Sequence, residues 1–276
     1  MFRFKAALNT STLFPFELDV KQQVRIAAEA GFDGIELWVK DIEAYRQAGG
    51  TLKVLKAYLA DTGLTLVNAI AFFPWADADD LVREQGFVQA EREMRMLAEL
   101  GCLAVAAPPY GDVQGVTLEA IAAHFARLVD LARGIGIEPY LEFWGRAKKL
   151  SRLSEALFIA MESGVPDAKI LLDPFHMYVG GSAEHSLQYL RGANIGIVHV
   201  NDYPAVPSRQ QIADRDRVFP GAGIAPTQRF ARLLDRAGYR GYLSLELFIE
   251  SYGQESALEV AKRGLQTIRQ AYRVEG

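Results

Sequence analysis

Eight short runs, each typical of a buried β-strand, alternate with amphipathic helical stretches along the 276 residues of this chain. The predicted strands are 4–8, 34–38, 64–72, 103–107, 137–142, 169–173, 195–200 and 242–246. The predicted helices are 18–30, 52–62, 84–100, 118–133, 151–163, 183–190, 227–237 and 255–272, four of them ending at Gly31, Gly63, Gly134 and Gly164. This rhythm, unbroken by a linker, predicts one closed (β/α)8 barrel, the TIM-barrel architecture, as a single domain over residues 1–276.

Four side chains that bind metal ions well stand at the ends of the last four predicted strands. They are Glu142, Asp173, His199 and Glu246. A parallel barrel holds its active site at the C-terminal ends of its strands, so these side chains are expected to converge there. Three carboxylates and an imidazole suit one divalent ion such as Mn²⁺, Mg²⁺, Co²⁺ or Zn²⁺.

The period of two in a β-strand tests this expectation, because alternate residues share one face. In strand eight, Glu246 shares a face with Ser244 and Tyr242, while Leu243 and Leu245 share the other. A polar face beside a purely aliphatic face fits a strand that lines a site on one side and packs helices on the other.

The composition excludes several classes of protein. A net charge of −4 disfavours a nucleic-acid surface, which needs a basic field. The single cysteine, Cys102, excludes a disulfide within the chain and is expected in the core, which favours a reducing compartment. The sequence shows no secretory signal and no apolar stretch of the roughly 20 residues that span a bilayer. We therefore expect a cytoplasmic protein that binds no membrane.

The chain resembles the sugar isomerase/epimerase superfamily of xylose isomerase-like barrels over nearly its whole length. The resemblance rests on residues 31–37, 172–177, 198–202, 216–221 and 245–246, and it is greatest to the inosose isomerase and ketose 3-epimerase branches. It implies a single divalent ion held by the four residues above, with Glu142 and Glu246 also acting as the acid/base pair. It further implies that His176 and an arginine after strand seven contact the substrate; Arg217 is favoured over Arg215 for this role. It also implies a homo-oligomer.

Other candidate residues have two possible roles each. Glu36, at the end of strand two, could contact substrate or form a structural ion pair, and His176 could instead cap or pack its loop. Asp202 is a conceivable partner for the free ring nitrogen of His199. Aromatic residues that follow strand ends could wall the pocket or simply pack in the core, namely Trp38, Phe72, Trp75, Trp144 and Phe248.

Removing a proton from the carbon beside a ketone requires a base and stabilisation of the resulting enediolate. The leading hypothesis is therefore a metal-dependent isomerase or epimerase of a ketose, keto-inositol or related polyol. A lyase of the same fold, which dehydrates an inosose or dehydroshikimate, begins with the same step and is the main alternative. A phosphodiesterase resembling endonuclease IV would need more than the four histidines present. A non-catalytic binding subunit is the remaining alternative.

Overall fold

Eight parallel strands form a closed barrel in which each strand pairs with its neighbours in chain order and the last pairs with the first. The computed structural model describes residues 1–274. The strands are β1 Lys5–Asn9, β2 Gly34–Trp38, β3 Thr65–Ile70, β4 Ala104–Ala107, β5 Glu138–Glu142, β6 Lys169–Leu172, β7 Ile195–Val200 and β8 Tyr242–Leu245. The predicted (β/α)8 barrel is confirmed.

Helices surround the barrel and connect the strands. They are α1 Val20–Ala30, α2 Val39–Gln47, α3 Leu52–Thr62, α4 Asp80–Leu100, α5 Leu118–Ile135, α6 Leu153–Glu162, α7 Pro174–Gly180, α8 Thr227–Arg236 and α9 Ala257–Ala271. Short 3-10 helices lie at Thr10–Phe16, Glu184–Tyr189, Gly192–Asn194 and Asp214–Asp216. Within residues 1–274, no helix has the length and apolar character needed to cross a membrane.

Apolar side chains form two main layers, one inside the barrel and one between the strands and the helices. Tyr140 and Tyr242 pack in the inner layer with Ala7, Val67, Ala106, Leu171 and Ile197. Leu141, Leu243 and Leu245 belong to the much larger outer layer. The face assignment made from the period of two is therefore confirmed for strand eight, and Cys102 lies in the outer layer as a free, buried thiol.

The helices differ from the sequence predictions in three places. Helix α5 runs past Gly134 and ends at Gly136, whose positive φ of 95° provides the left-handed cap, because a glycine inside a helix costs only about 1 kcal/mol. The predicted helix 183–190 is instead a 3-10 helix, Glu184–Tyr189, and the α-helix between β6 and β7 is the earlier and shorter α7. Asp173 accepts a hydrogen bond from the backbone N–H of Phe175 and starts α7 immediately after β6. Helix α2, between β2 and α3, was not predicted.

Two glycines inside helices provide a matched test of packing against the barrel. A Cβ on Gly264 in α9 would lie 2.2 Å from Cδ2 of Leu245 in β8, whereas a Cβ on the exposed Gly134 in α5 would meet nothing within 4 Å. We expect Gly264→Ala to lower the free energy of unfolding by about 1–3 kcal/mol through overpacking. Gly134→Ala should raise it by up to about 1 kcal/mol through helix propensity. Urea denaturation of both variants measures this, and equal shifts would contradict it.

Candidate metal centre

A layer of polar side chains crosses the barrel near the C-terminal ends of its strands. Asn9 in β1 is in register with Glu36 in β2, which is in register with Asn68 in β3. On the other side of β1, which pairs with β8, His199 in β7 is in register with Ser244 in β8. All five side chains are fully buried. Within the layer, Glu36 accepts a hydrogen bond from Asn68 and lies beside His199.

Three of the four predicted metal ligands meet at one point of this layer. Asp173 follows the end of β6, His199 lies within β7, and Glu246 follows the end of β8. One ligand atom from each lies within 4.8 Å of the other two. Glu142, the last residue of β5, lies outside this cluster but lines the same pocket. A role for these four residues as metal ligands stays a prediction.

Each of the three clustered residues is held by a second polar side chain. Asn201 donates a hydrogen bond to Oδ1 of Asp173 at 3.1 Å, and Asn9 donates to Oε1 of Glu246 at 3.0 Å. The indole N–H of Trp38 donates in turn to Oδ1 of Asn9 at 2.9 Å. Sequence reasoning missed both asparagines, although the rule that selected Glu246, a polar residue at a strand end, also selects Asn9.

The ring partner of His199 is Glu36, and the suggestion of Asp202 was wrong. Nε2 of His199 lies 3.1 Å from Oε2 of Glu36. Asp202 instead organises the loop after β7, because its carboxylate accepts from the backbone N–H groups of Tyr203, Gly221 and Ala225. Of the two roles considered for Glu36, the structure supports the ion pair: its side chain is fully buried and does not line the pocket.

The second ring nitrogen of His199, Nδ1, is available to bind a divalent ion together with Asp173 and Glu246. Nδ1 lies 3.1 Å from Oε2 of Glu246, yet it has no hydrogen-bond partner in the part of the chain that the structure describes. A buried imidazole nitrogen beside two carboxylates is a donor set that Zn²⁺, Mn²⁺ and Co²⁺ all accept. The donors present therefore fit such an ion.

Arg217 neutralises the carboxylates of this cluster. Its side chain is 1% exposed, and Nη1 donates to Oδ2 of Asp173 and to Oε2 of Glu246, both at 2.8 Å. Its other nitrogens donate to Asp214. His176 lies beside it, with Nε2 3.5 Å from Nη2 of Arg217. Arg215 is exposed, so Arg217 is the arginine that the loop after β7 brings to the pocket.

The ionisable groups of the site have displaced pKa values. Burial raises the pKa of Glu142 to about 8, with Glu246 adding to the rise and His199 opposing it. Burial would raise the pKa of Asp173 as well, but the charges of Arg217 and the two neighbouring histidines lower it to about 2. Burial disfavours a charged His199, yet Glu246 and Glu36 outweigh it and raise the pKa. Neighbouring carboxyl groups whose pKa values differ this widely are typical of sites that transfer protons.

A pocket of about 670 Å³ opens onto these groups. Aromatic rings form one wall, namely Trp38, Phe72, Tyr110, Trp144 and Phe248, with centroids of neighbouring rings 5.4–6.2 Å apart. The polar wall consists largely of Glu142, His176, Arg217 and Glu246. Trp75, expected as a possible wall residue, is instead fully buried, and its indole N–H donates to the carbonyl of Pro108.

Comparison with known proteins gives consistent matches. A family model described as a xylose isomerase-like TIM barrel matches residues 24–271. The inosose isomerase of Bacillus velezensis is 26% identical over 260 residues, covering 90% of each chain. The 3-dehydroshikimate dehydratase of Pseudomonas putida is 26% identical over 259 residues, which cover 90% of this chain and 39% of that protein. A crystal structure of the IOLI protein with a zinc atom matches with a TM-score of 0.89 at 24% identity, covering 98% of each chain.

Arg217 and the exposed Arg215 of the same loop provide a test of the charge balance. Arg217→Met removes the cation between Asp173 and Glu246 and leaves their charges buried without it. We expect the free energy of unfolding, measured by urea denaturation in EDTA, to fall by about 3–5 kcal/mol. The control Arg215→Met, at an exposed position, should change it by no more than about 0.5 kcal/mol. Similar values for the two variants would contradict the assignment.

Proposed function

We propose, because the chain belongs to the xylose isomerase-like TIM barrel family, that it is a divalent-metal-dependent isomerase or epimerase of a ketose, keto-inositol or related polyol. The observation that carries the proposal is the cluster of Asp173, His199 and Glu246 at the base of a pocket that Glu142 also lines. The similarity to inosose isomerases supports the reaction class.

The three clustered residues, with Glu142 as the fourth ligand, would hold the ion. Mn²⁺, Mg²⁺, Co²⁺ and Zn²⁺ are the candidates, and the donor set does not distinguish them strongly. When bound, such an ion supplies Lewis-acid polarisation of the substrate carbonyl, which makes the neighbouring C–H more acidic. The homo-oligomer and the cytoplasmic location stay predictions.

The side chains of this protein would position the substrate and move its proton. Glu142 and Glu246 end strands three apart around the barrel, so they can flank a bound substrate from opposite sides. One carboxylate removes the proton beside the carbonyl, and the other carboxyl group returns a proton from the opposite face. Arg217 and His176 donate hydrogen bonds to substrate oxygens, while Trp144 and Phe248 exclude water from the reacting carbon.

A dehydratase is the second candidate, because 3-dehydroshikimate dehydratases match this chain at 26–27% identity. Its reaction starts with the same proton abstraction and differs only when a β-hydroxyl group leaves. Whether a β-hydroxyl group leaves depends on the substrate, so an experiment with defined substrates distinguishes the two reactions.

The test is a panel of ketohexoses, inososes and 3-dehydroshikimate, incubated with the Mn²⁺-loaded protein in D₂O and followed by NMR. We expect deuterium to enter the position beside the carbonyl of one substrate, with a product that keeps all its oxygens. A product that has lost water would favour the dehydratase. Absence of exchange with every substrate would contradict both enzymes and favour a binding protein.

The two glutamates of the site, Glu142 and Glu246, provide a test of the proton-transfer roles. Glu142→Gln and Glu246→Gln remove one proton-transfer group each, so kcat should fall by about 10²–10⁴-fold at saturating Mn²⁺. The control Glu162→Gln, at an exposed position at the end of α6, should leave kcat unchanged. Metal content is measured in parallel to separate lost chemistry from lost metal. Full turnover by either site variant would contradict the assignment.

A further inference from the structure

Glu36 is a buried carboxylate whose contacts point to a task in the candidate metal centre. Its side chain is fully inaccessible to solvent, and Oε2 lies 3.1 Å from Nε2 of His199. The same oxygen accepts a hydrogen bond from Nδ2 of Asn68 at 2.6 Å. An ionised carboxylate in such a place costs several kcal/mol in lost hydration, on the order given for buried ions. The contacts of Glu36 must offset this cost, which indicates a role beyond packing.

The contact with Glu36 determines which nitrogen of His199 carries a proton. A carboxylate only accepts hydrogen bonds, so Nε2 must donate. The other nitrogen, Nδ1, faces Asp173 and Glu246. It lies 3.1 Å from Oε2 of Glu246, but the angle does not suit a hydrogen bond, and it has no hydrogen-bond partner among residues 1–274. The two carboxylates are held in a similar way, since Asn201 and Asn9 each donate to one of their oxygens.

We propose that Glu36 is a positioning residue for the metal centre: it fixes the ring of His199 with Nε2 protonated and Nδ1 directed at a divalent cation. This inference rests on the proposed function, which requires that cation. An imidazole that donates a hydrogen bond to a carboxylate is also a stronger metal ligand. Asn68 supports Glu36 from β3, so the arrangement connects strands β2, β3 and β7.

Calorimetric titration with Mn²⁺ and with Zn²⁺ tests the role of Glu36 without reference to any substrate. Glu36→Gln keeps the shape of the side chain and removes its charge, so affinity for both ions should fall by about 10–100-fold. The matched control is Glu93→Gln in α4, where a glutamate that is 3% exposed accepts a hydrogen bond from Gln89 at 2.8 Å. The affinity of Glu93→Gln for Mn²⁺ and Zn²⁺ should equal that of the wild type. Wild-type affinity in Glu36→Gln would overturn the inference.

A second measurement uses the wild-type protein, so it does not depend on a variant that folds. Long-range ¹H–¹⁵N spectra of the Zn²⁺-loaded protein, with His199 assigned by comparison with His199→Gln, should show a protonated Nε2 and a metal-bound Nδ1. Metal bound to Nε2 would overturn the inference while leaving the proposed function intact. A wild-type protein that binds neither ion would overturn the proposed function, and the inference with it.

Discussion

The structure depends on the balance of charge at the C-terminal end of the barrel. Glu36, Glu142, Asp173 and Glu246 are buried at or near this end, where water cannot screen them. Arg217 contacts Asp173 and Glu246 at 2.8 Å, and His199 lies 3.1 Å from Glu36 and from Glu246. A buried charge without a partner is costly. The loop that carries Arg217 therefore stabilises the barrel by bringing a cation to the buried carboxylates. The pocket lies between the charged groups and the aromatic wall.

The sequence was sufficient to predict the barrel because its signals are local. Each strand is a short run of apolar or alternating residues, and the period of two assigned Leu243 and Leu245 to the outer face correctly. The helix predictions failed where the deciding contact is a cap. Asp173 starts α7 by accepting from Phe175, and Gly136 rather than Gly134 ends α5. Such choices differ by about 1 kcal/mol, which a pattern of apolar residues does not resolve.

The candidate site was predictable in its main residues and not in their partners. Strand ends identified Asp173, His199 and Glu246, because a parallel barrel delivers them to one rim. The partner of His199 could not be found in this way, since Glu36 lies 163 positions away and only the closed barrel brings it near. Local sequence had suggested Asp202, which is three residues from His199 but turns toward its own loop.

Trp38 belongs to both the aromatic wall and the hydrogen-bond network, since its ring lines the pocket and its indole N–H holds Asn9 against Glu246. Substrate preference and ligand geometry are therefore coupled through one side chain. A smaller side chain at position 38 would enlarge the pocket, but it would also remove the hydrogen bond that holds Asn9 against Glu246. Changes at Phe72, whose side chain lines the same pocket and has no polar atom, offer a way to redesign selectivity that leaves the acidic cluster undisturbed.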